Sequence, residues 1–272
     1  MRVVKQGAWP GMQEGTGRMW SRSKSGLVGL CLLCMAPAAA LAQDAGPGEW
    51  TYTISPYFWG AGQSGKVSTF GNLPPASIDL SFSDILEDLD FGAMIVGNAN
   101  NGRFGISADL VYVKTSEDGD TPGDLFSDVK LKTKTGFFSV TGEYLVAQTP
   151  DAQLWAAGGV RYWDISTDLS LGSGSLPGRS LESGDSWFDP MVGLRGRADL
   201  NDKVFVTGWA YLGGFDVGSD SMSDLFAGVG YRFGTKTSGV LGYRYMSVDR
   251  EDGDFLYDVE QQGVVGGVSF AF

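Results

Sequence analysis

Histidine, the side chain that most often transfers protons near neutral pH, does not occur in the 272 residues of this chain. The two cysteines, Cys31 and Cys34, both lie in an apolar N-terminal segment. The usual pairs of a nucleophile and a base therefore cannot be assembled from the rest of the chain, and only a carboxylate pair or a Ser–Lys pair stays open. We expect a protein that is not an enzyme and has no catalytic residues.

Two acidic runs could bind a hard cation through oxygen atoms. Residues 117–120 read Glu-Asp-Gly-Asp, and residues 249–254 read Asp-Arg-Glu-Asp-Gly-Asp. Carboxylates around a Gly resemble calcium-binding loops, but the twelve-residue spacing with its terminal Glu is missing from this sequence. We therefore expect solvated acidic loops, with neither a metal nor a cofactor.

A larger set of charges lies among small residues, on the side of each segment opposite the large apolar residues. Four acids and five arginines nearly balance in this set. Isolated charges in a confined interior are costly, so the pattern predicts paired charges that fill a lumen. The predicted lumen charge network comprises Asp109, Glu143, Arg161, Asp189, Arg195, Arg197, Asp224, Arg232 and Arg244.

Strands must position these charges, because ten segments between Glu49 and Phe272 alternate with period two. Repeated Gly on the charged face predicts a narrow interior, with the apolar face directed outward into lipid. Within 204–217 this interpretation directs Phe205, Trp209 and Tyr211 outward. The sequence predicts an all-β fold: a transmembrane, antiparallel, up-and-down β-barrel of about ten strands, with eight or twelve as alternatives.

The connections between the segments alternate in length. The short ones are 100–102, 148–151, 201–202 and 234–237, and the longer, acidic, Gly/Ser-rich ones are 62–90, 116–128, 170–186 and 249–255. Short periplasmic turns and longer outer loops are typical of an outer-membrane barrel. Within the first long stretch, Ser81 and Asp84 form a capping-box pattern ahead of apolar residues at helical spacing, which predicts a helix over 81–89.

Composition excludes some classes of partner. The formal net charge of −12 disfavours nucleic acid, and 41 glycines with 12% aromatic residues favour a membrane barrel over a soluble β-sandwich. At the N-terminus, Arg22 and Lys24 precede an apolar run that closes on Ala40-Leu41-Ala42. This pattern predicts a cleaved signal peptide over 1–42, with Met19 as a more ordinary start, and a barrel domain over 43–272.

The export signal, the alternating segments and the terminal VSFAF resemble the small outer-membrane β-barrel proteins of Gram-negative bacteria, broadly the transmembrane domain of outer membrane protein A. The resemblance covers the chain after the signal and implies residence in the cell outer membrane. It also implies that Phe270 and Phe272, in the last strand, form the assembly signal read by the barrel-assembly machinery.

Lys130, Lys132 and Lys134 share the outward face of one strand. Just above the apolar band they could contact lipopolysaccharide phosphates, so the expected partners are outer-membrane lipid and lipopolysaccharide; snorkelling of the side chains is the alternative. The function expected from these features is a non-enzymatic, structural or surface-interaction role with a mostly filled lumen. The alternative function is a narrow porin-like channel for ions or small solutes.

Overall fold

The computed structural model describes residues 48–68, 75–121 and 123–272, so the predicted signal segment 1–42 lies outside the described residues. The described part contains eleven strands and one short helix. They are β1 (Thr51–Ser68), β2 (Ala76–Leu80), α1 (Phe82–Glu87), β3 (Leu89–Asn100), β4 (Phe104–Asp120), β5 (Phe126–Gln148), β6 (Ala152–Ser173), β7 (Arg179–Asp199), β8 (Val204–Gly214), β9 (Ser221–Arg232), β10 (Thr237–Asp252) and β11 (Phe255–Ala271).

All strands except β2 form one closed, antiparallel, up-and-down barrel of ten strands, which confirms the predicted fold. The barrel closes where β1 pairs with β11, from Thr53 opposite Ala271 to Ser68 opposite Leu256. At the same edge, the backbone N–H of Phe272 donates to Tyr52 at 2.9 Å. Both chain ends of the barrel and the short turns lie at one end, called the terminal end; the opposite end is called the hairpin end.

Period-two alternation separates an inner and an outer face in each barrel strand. In β5, Phe137 is 4% exposed and points inward, whereas its neighbour Phe138 is 46% exposed and points outward. The outer face carries a belt of exposed apolar residues, among them Ile106, Leu110 and Val140. An exposed apolar belt around a closed sheet is the surface that a transmembrane barrel presents to lipid.

The sequence analysis assigned the wrong face of β8 to the lumen. Phe205 and Tyr211 are 2% and 7% exposed and face the lumen, as does Trp209. The outer face of β8 instead carries smaller residues such as Leu212. The lumen is wide enough to hold aromatic rings, which the repeated glycines had appeared to exclude.

The connections at the hairpin end are shorter than predicted. Strands β5, β6 and β7 run for 23, 22 and 21 residues. Strands β4 and β5 together absorb most of 116–128, and β6 and β7 absorb most of 170–186. The acidic run 117–120 accordingly lies in β4, residues 249–252 lie in β10, and residues 253–254 form the tight turn to β11. Alternation of polar residues with residues such as Leu131 continues the β pattern beyond the apolar belt, so these segments form hairpins rather than loops.

Helix α1 confirms the predicted capping box. The hydroxyl of Ser81 accepts from the backbone N–H of Asp84 at 3.3 Å, and the Asp84 carboxylate accepts from the backbone N–H of Ser81 at 3.0 Å. The helix spans six residues and contacts β1 and β2. No helix in the described ranges is long and apolar enough to cross a membrane.

Candidate functional site: the charged floor and the two cavities of the lumen

Asp224, on the inner face of β9, is the centre of the lumen network. Its carboxylate accepts from Arg161 Nη2 at 2.6 Å and from Arg244 Nε and Nη2 at 2.9 and 2.6 Å. Trp209 Nε1 donates to it at 2.9 Å. Asp224 and Arg244 are fully buried and Arg161 is 1% exposed. These charged groups are therefore stabilised by one another and not by water.

Arg244 carries the network across the lumen to the opposite wall. From β10 its Nη2 atom lies 2.8 Å from Asp109 Oδ2 on β4, and its Nη1 atom donates to the Tyr57 hydroxyl on β1 at 2.9 Å. The Tyr57 hydroxyl in turn donates to Asp109 Oδ1 at 2.8 Å. Two guanidinium groups and two carboxylates thus balance in charge; with Tyr57 they are called the charged floor.

Aromatic rings enclose the floor. The ring of Phe137 lies 4.3 Å from the guanidinium carbon of Arg161 and 5.4 Å from that of Arg244. Trp59 and Trp209 lie 4.9 and 5.3 Å from Arg244. Cation–π contacts of this kind gain strength when water is excluded, so the rings stabilise the two cations while they fill the cross-section of the lumen.

A second ion pair lies between the floor and the terminal end. Glu143 accepts from Arg195 Nε and Nη2 at 2.8 and 2.6 Å, and Ser107 donates to it at 2.7 Å. Arg195 keeps 23% of its side chain exposed. The Glu143–Arg195 pair is therefore more accessible to water than the charged floor.

The remaining predicted network residues are not joined to the floor. Arg197 and Arg232 both pair with Asp199 at the terminal rim, and both lie over the ring of Phe205. Asp189, which is fully buried, is held by neutral donors. Trp163 Nε1 and the backbone N–H and hydroxyl of Ser219 donate to it at 2.8, 2.6 and 2.8 Å.

Several lumen residues did not enter the sequence prediction. Tyr57, Trp209 and Trp163 complete the hydrogen bonding of the buried carboxylates. Arg250 pairs with Asp185 at 3.0 Å near the hairpin end. Trp163 lies on the same face of β6 as Arg161, which is the signal that could have found it, because buried carboxylates need donors. Tyr57 on β1 and Trp209 on β8 had no such signal, since neither strand carries a residue of the predicted network.

The floor separates two cavities, so the lumen is filled at mid-height and hollow on either side. The lower cavity, of about 450 Å³, faces the terminal end, and its mixed lining includes the polar and charged residues Asn98, Arg195 and Arg197. The upper cavity, of about 490 Å³, lies toward the hairpin end. Its lining is mainly apolar and includes Met94 and Ile165.

The other predicted sites lie on the outside of the barrel. Lys130 pairs with Asp118 at 3.0 Å and Lys134 lies 3.7 Å from Asp168, whereas Lys132 is opposite Asp168 in the register of β5 and β6. Phe270 and Phe272 are 42% and 43% exposed beside β1. Among the 48–68, 75–121 and 123–272 ranges, acidic residues form no cluster that could hold a metal ion.

Comparison with solved structures places the fold among outer-membrane barrels. The outer membrane protease OmpT from Escherichia coli is 11% identical and superposes with a TM-score of 0.50 over 86% of this chain and 99% of its own. The translocator domain of the autotransporter NalP from Neisseria meningitidis is 13% identical, with a TM-score of 0.42 over 83% and 89%. The toluene transporter TodX from Pseudomonas putida is 11% identical, with a TM-score of 0.33 over 83% and 90%.

No protein-family model and no curated protein matches the sequence. At 11% identity, the likeness to OmpT extends to the fold alone. The chain therefore has the fold of an outer-membrane β-barrel protein, as the sequence predicted.

Proposed function

We propose that this protein is a non-enzymatic outer-membrane barrel with a structural or surface-interaction role, whose lumen does not conduct. The observation that carries the proposal is the charged floor, in which Arg161, Arg244 and Asp224 are essentially without solvent exposure at mid-height. Moving these side chains aside would separate buried opposite charges, which is costly. A sequence without histidine supports the non-enzymatic role, although the fold also occurs in a protease.

The alternative function is a narrow channel for ions or small solutes. The lower cavity favours it, because Arg195 and Arg197 are among the residues that line this cavity at the terminal end. Such a channel would need the floor to open. A liposome-swelling assay with small sugars separates the two functions: we expect no swelling above that of protein-free liposomes, and a swelling rate that increases as the solute becomes smaller would establish the channel.

Residence in the outer membrane is part of the proposal. The basic and apolar pattern of residues 1–42 supports export with cleavage after Ala42, and the exposed apolar belt supports insertion into lipid. We expect the protein in the detergent-insoluble outer-membrane fraction, with different gel mobility before and after boiling. Recovery as a soluble periplasmic protein would contradict the proposal.

The last strand has a proposed second role as the signal for the barrel-assembly machinery. Phe270 and Phe272 support it, because both rings remain exposed on the outer face at the strand that closes the barrel. Deletion of Phe272 should lower the amount of assembled barrel and raise periplasmic degradation. Unchanged assembly would show that the terminal ring serves only as part of the wall.

Lipopolysaccharide is the proposed outer-leaflet partner of Lys130, Lys132 and Lys134. Their position supports it: in the register of β5, Lys134 is the first outward residue beyond Phe138 and Gly136, at the edge of the apolar belt. Lys130 and Lys134 keep 40% and 41% of their side chains exposed despite their acidic neighbours. Replacement of all three by Gln should reduce lipopolysaccharide that co-purifies with the barrel.

A further inference from the structure

The wall of the barrel is incomplete between β1 and β3. These strands pair over six residues, from Thr51 opposite Asn100 to Pro56 opposite Ile95. Pro56 has no backbone N–H to donate. Beyond it, β1 next pairs on this side only at Gln63, with Leu80 of β2. Between β1 and β3, residues 57–62 of β1 and 89–94 of β3 have no cross-strand partner, all within the described part of the chain. This gap between the two strands is called the seam.

The upper cavity passes through this seam. It is lined both by Trp59, which points inward and is 4% exposed, and by Phe58, which points outward and is 50% exposed. A cavity can touch both faces of one strand only where the wall beside that strand is open. Helix α1 covers the opening from outside: Phe82 packs edge-to-face on Phe58 at 5.4 Å, and Phe82 and Ile85 also line the cavity.

The seam lies at the level of the outer part of the apolar belt. Phe91, at the hairpin end of β3, is opposite Lys114, and Lys114 is opposite Lys134. These lysines mark the upper edge of the belt, so the unpaired stretch below Phe91 faces lipid rather than water. Exposed backbone polar groups are unfavourable in the hydrocarbon region unless protein or a cavity covers them.

Two buried polar atoms in the upper cavity have no hydrogen-bond partner among the described residues. They are Trp59 Nε1 and the Tyr257 hydroxyl, in side chains that are 4% and 3% exposed. Gln63 lies close to the Tyr257 hydroxyl without reaching the geometry of a hydrogen bond. Buried donors of this kind are rare in native proteins, and they indicate a missing acceptor.

The charges of the cavity lining limit what can enter. Among the described residues that line it, none is Lys or Arg, whereas Asp84, Asp88 and Glu117 lie toward the hairpin end. An anionic head group would therefore lie beside carboxylates, with no Lys or Arg among the described lining residues. A volume of about 490 Å³ lies within the range of small-molecule sites.

We infer that the upper cavity is a binding site for an uncharged hydrophobic molecule with one oxygen acceptor, which enters sideways from the outer leaflet through the seam under α1. Trp59 Nε1 donates to the oxygen atom, with Tyr257 as a second partner, and the apolar chain lies against residues such as Met94, Val111 and Ile165. The charged floor closes the site from below. This inference goes beyond the proposed function. Conductance measures closure of the lumen and labelling measures ligand binding, so failure of the one is distinguishable from failure of the other.

A photoreactive probe tests the site. A dodecanol that bears a diazirine is added to the full-length barrel in lipid nanodiscs, and labelled residues are identified by peptide mass spectrometry. We expect labelling at the inward residues Met94 and Ile165 above that at outward residues. In Val111→Trp, which fills the cavity, inward labelling should fall to the outward level, whereas the matched variant Leu110→Trp on the lipid face of the same strand should retain it.

The charge of the probe tests the chemistry of the ligand. The corresponding dodecyl sulfate, with the same diazirine, should not label Met94 or Ile165. Inward labelling that persists in Val111→Trp, or that is equally strong with the sulfate, would overturn the proposed site.

A reversible disulfide tests the lateral route. A Cβ atom at Gly60 would lie 3.6 Å from Cγ of Phe82, the position that Sγ of a cysteine at residue 82 would take, so Gly60→Cys and Phe82→Cys are chosen for the disulfide. Residues 43–272 contain no other cysteine. Oxidation should lock α1 over the seam and slow inward labelling, and reduction should restore it. Equal labelling rates in the oxidised and reduced forms would overturn the route.

Discussion

The mid-height and upper sections of the lumen are built from the same strands but are filled in opposite ways. At mid-height, Arg161, Arg244 and Asp224 are buried and mutually paired. Above them the lining is apolar, and Trp59 Nε1 lacks a partner. The difference follows the wall of the barrel: β3 pairs with β1 up to Pro56, and that edge of β1 is open over residues 57–62.

This contrast indicates that a complete ring of strands and an open seam favour different interiors. A closed ring fixes inward side chains at distances at which multiple charges can satisfy one another, and buried charges are tolerated only when they are satisfied. Beside an open seam, lipid rather than water is the neighbour, so an apolar lining is the stable one. Four predictions sharpen or break the comparison.

The largest effect is expected from Asp224→Ala, because it leaves two buried guanidinium groups without their shared carboxylate. Loss of one partner of a buried pair typically costs about 3–5 kcal/mol. The unfolding midpoint, followed by the gel-mobility shift on heating, should fall accordingly. The control is Asp118→Ala, an exposed partner of Lys130, which should cost no more than about 1 kcal/mol. Equal midpoints for the two variants would mean that the floor does not stabilise the barrel.

Glu143→Gln should have a smaller effect, because it keeps the shape of the side chain and removes the charge that Arg195 pairs with. Arg195 is 23% exposed, so water can solvate the guanidinium in part. We expect a loss of about 1–3 kcal/mol in the free energy of unfolding, measured by urea titration in liposomes. A loss as large as that of Asp224→Ala would show that the lower cavity is as dry as the floor.

A tryptophan scan distinguishes filled from hollow sections of the lumen. Ser139 accepts from Arg161 Nε at 2.7 Å at the level of the floor, so Ser139→Trp should cost about 1–3 kcal/mol through overpacking. Val111 borders the upper cavity, so Val111→Trp should cost less than about 1 kcal/mol. The same unfolding midpoint measures both, and an equal cost would contradict the presence of a cavity beside Val111.

The smallest effect concerns Asp249 at the hairpin end, which lies near three other carboxylates. Partial burial and the charges of Asp258, Asp220 and Glu251 raise the pKa of Asp249. The folded state therefore binds a proton more readily than the unfolded state, so this residue lowers stability as pH rises from the ordinary Asp pKa through the raised one. Asp249→Asn should stabilise the barrel at pH 7 by at most about 0.5 kcal/mol and should flatten the dependence of the unfolding midpoint on pH between 4 and 7.

If the unfolding midpoint of Asp249→Asn changed with pH as steeply as that of the wild type, other groups would be responsible for the pH dependence. The matched variant Asp118→Asn, in an exposed ion pair with Lys130, should leave the slope in this pH range in place. The pair of variants separates a repulsive carboxylate cluster from an ordinary surface charge.

Much of the fold could be predicted from the sequence because period two is a local property. The alternation around Asp224 and Arg232 placed β9 in the barrel and gave its inner face, and the capping box at Ser81 identified α1. The phase of β8 could not be predicted from size alone, because Trp209 supplies a donor to Asp224 and Phe205 supplies a ring beneath Arg197. Large aromatic residues suit both lipid and a charged lumen.

The site depended on relations that no single segment contains. Asp109 and Arg244 lie 135 positions apart, and their contact requires closure of the barrel in one register. The open seam is equally non-local, since it results from β2 replacing β3 beside residues 63–67 of β1. Sequence alternation predicts the faces of each strand but not which strand borders another along its whole length.

Ion conductance tests the central claim, closure of the lumen by the charged floor, most directly. Purified wild-type protein and Asp224→Ala are compared in planar lipid bilayers under the same voltage and salt. We expect no steady current from the wild type and measurable openings from the variant, in which the lower and upper cavities can join through water. A stable, ion-selective wild-type conductance that Asp224→Ala leaves unchanged would contradict the account.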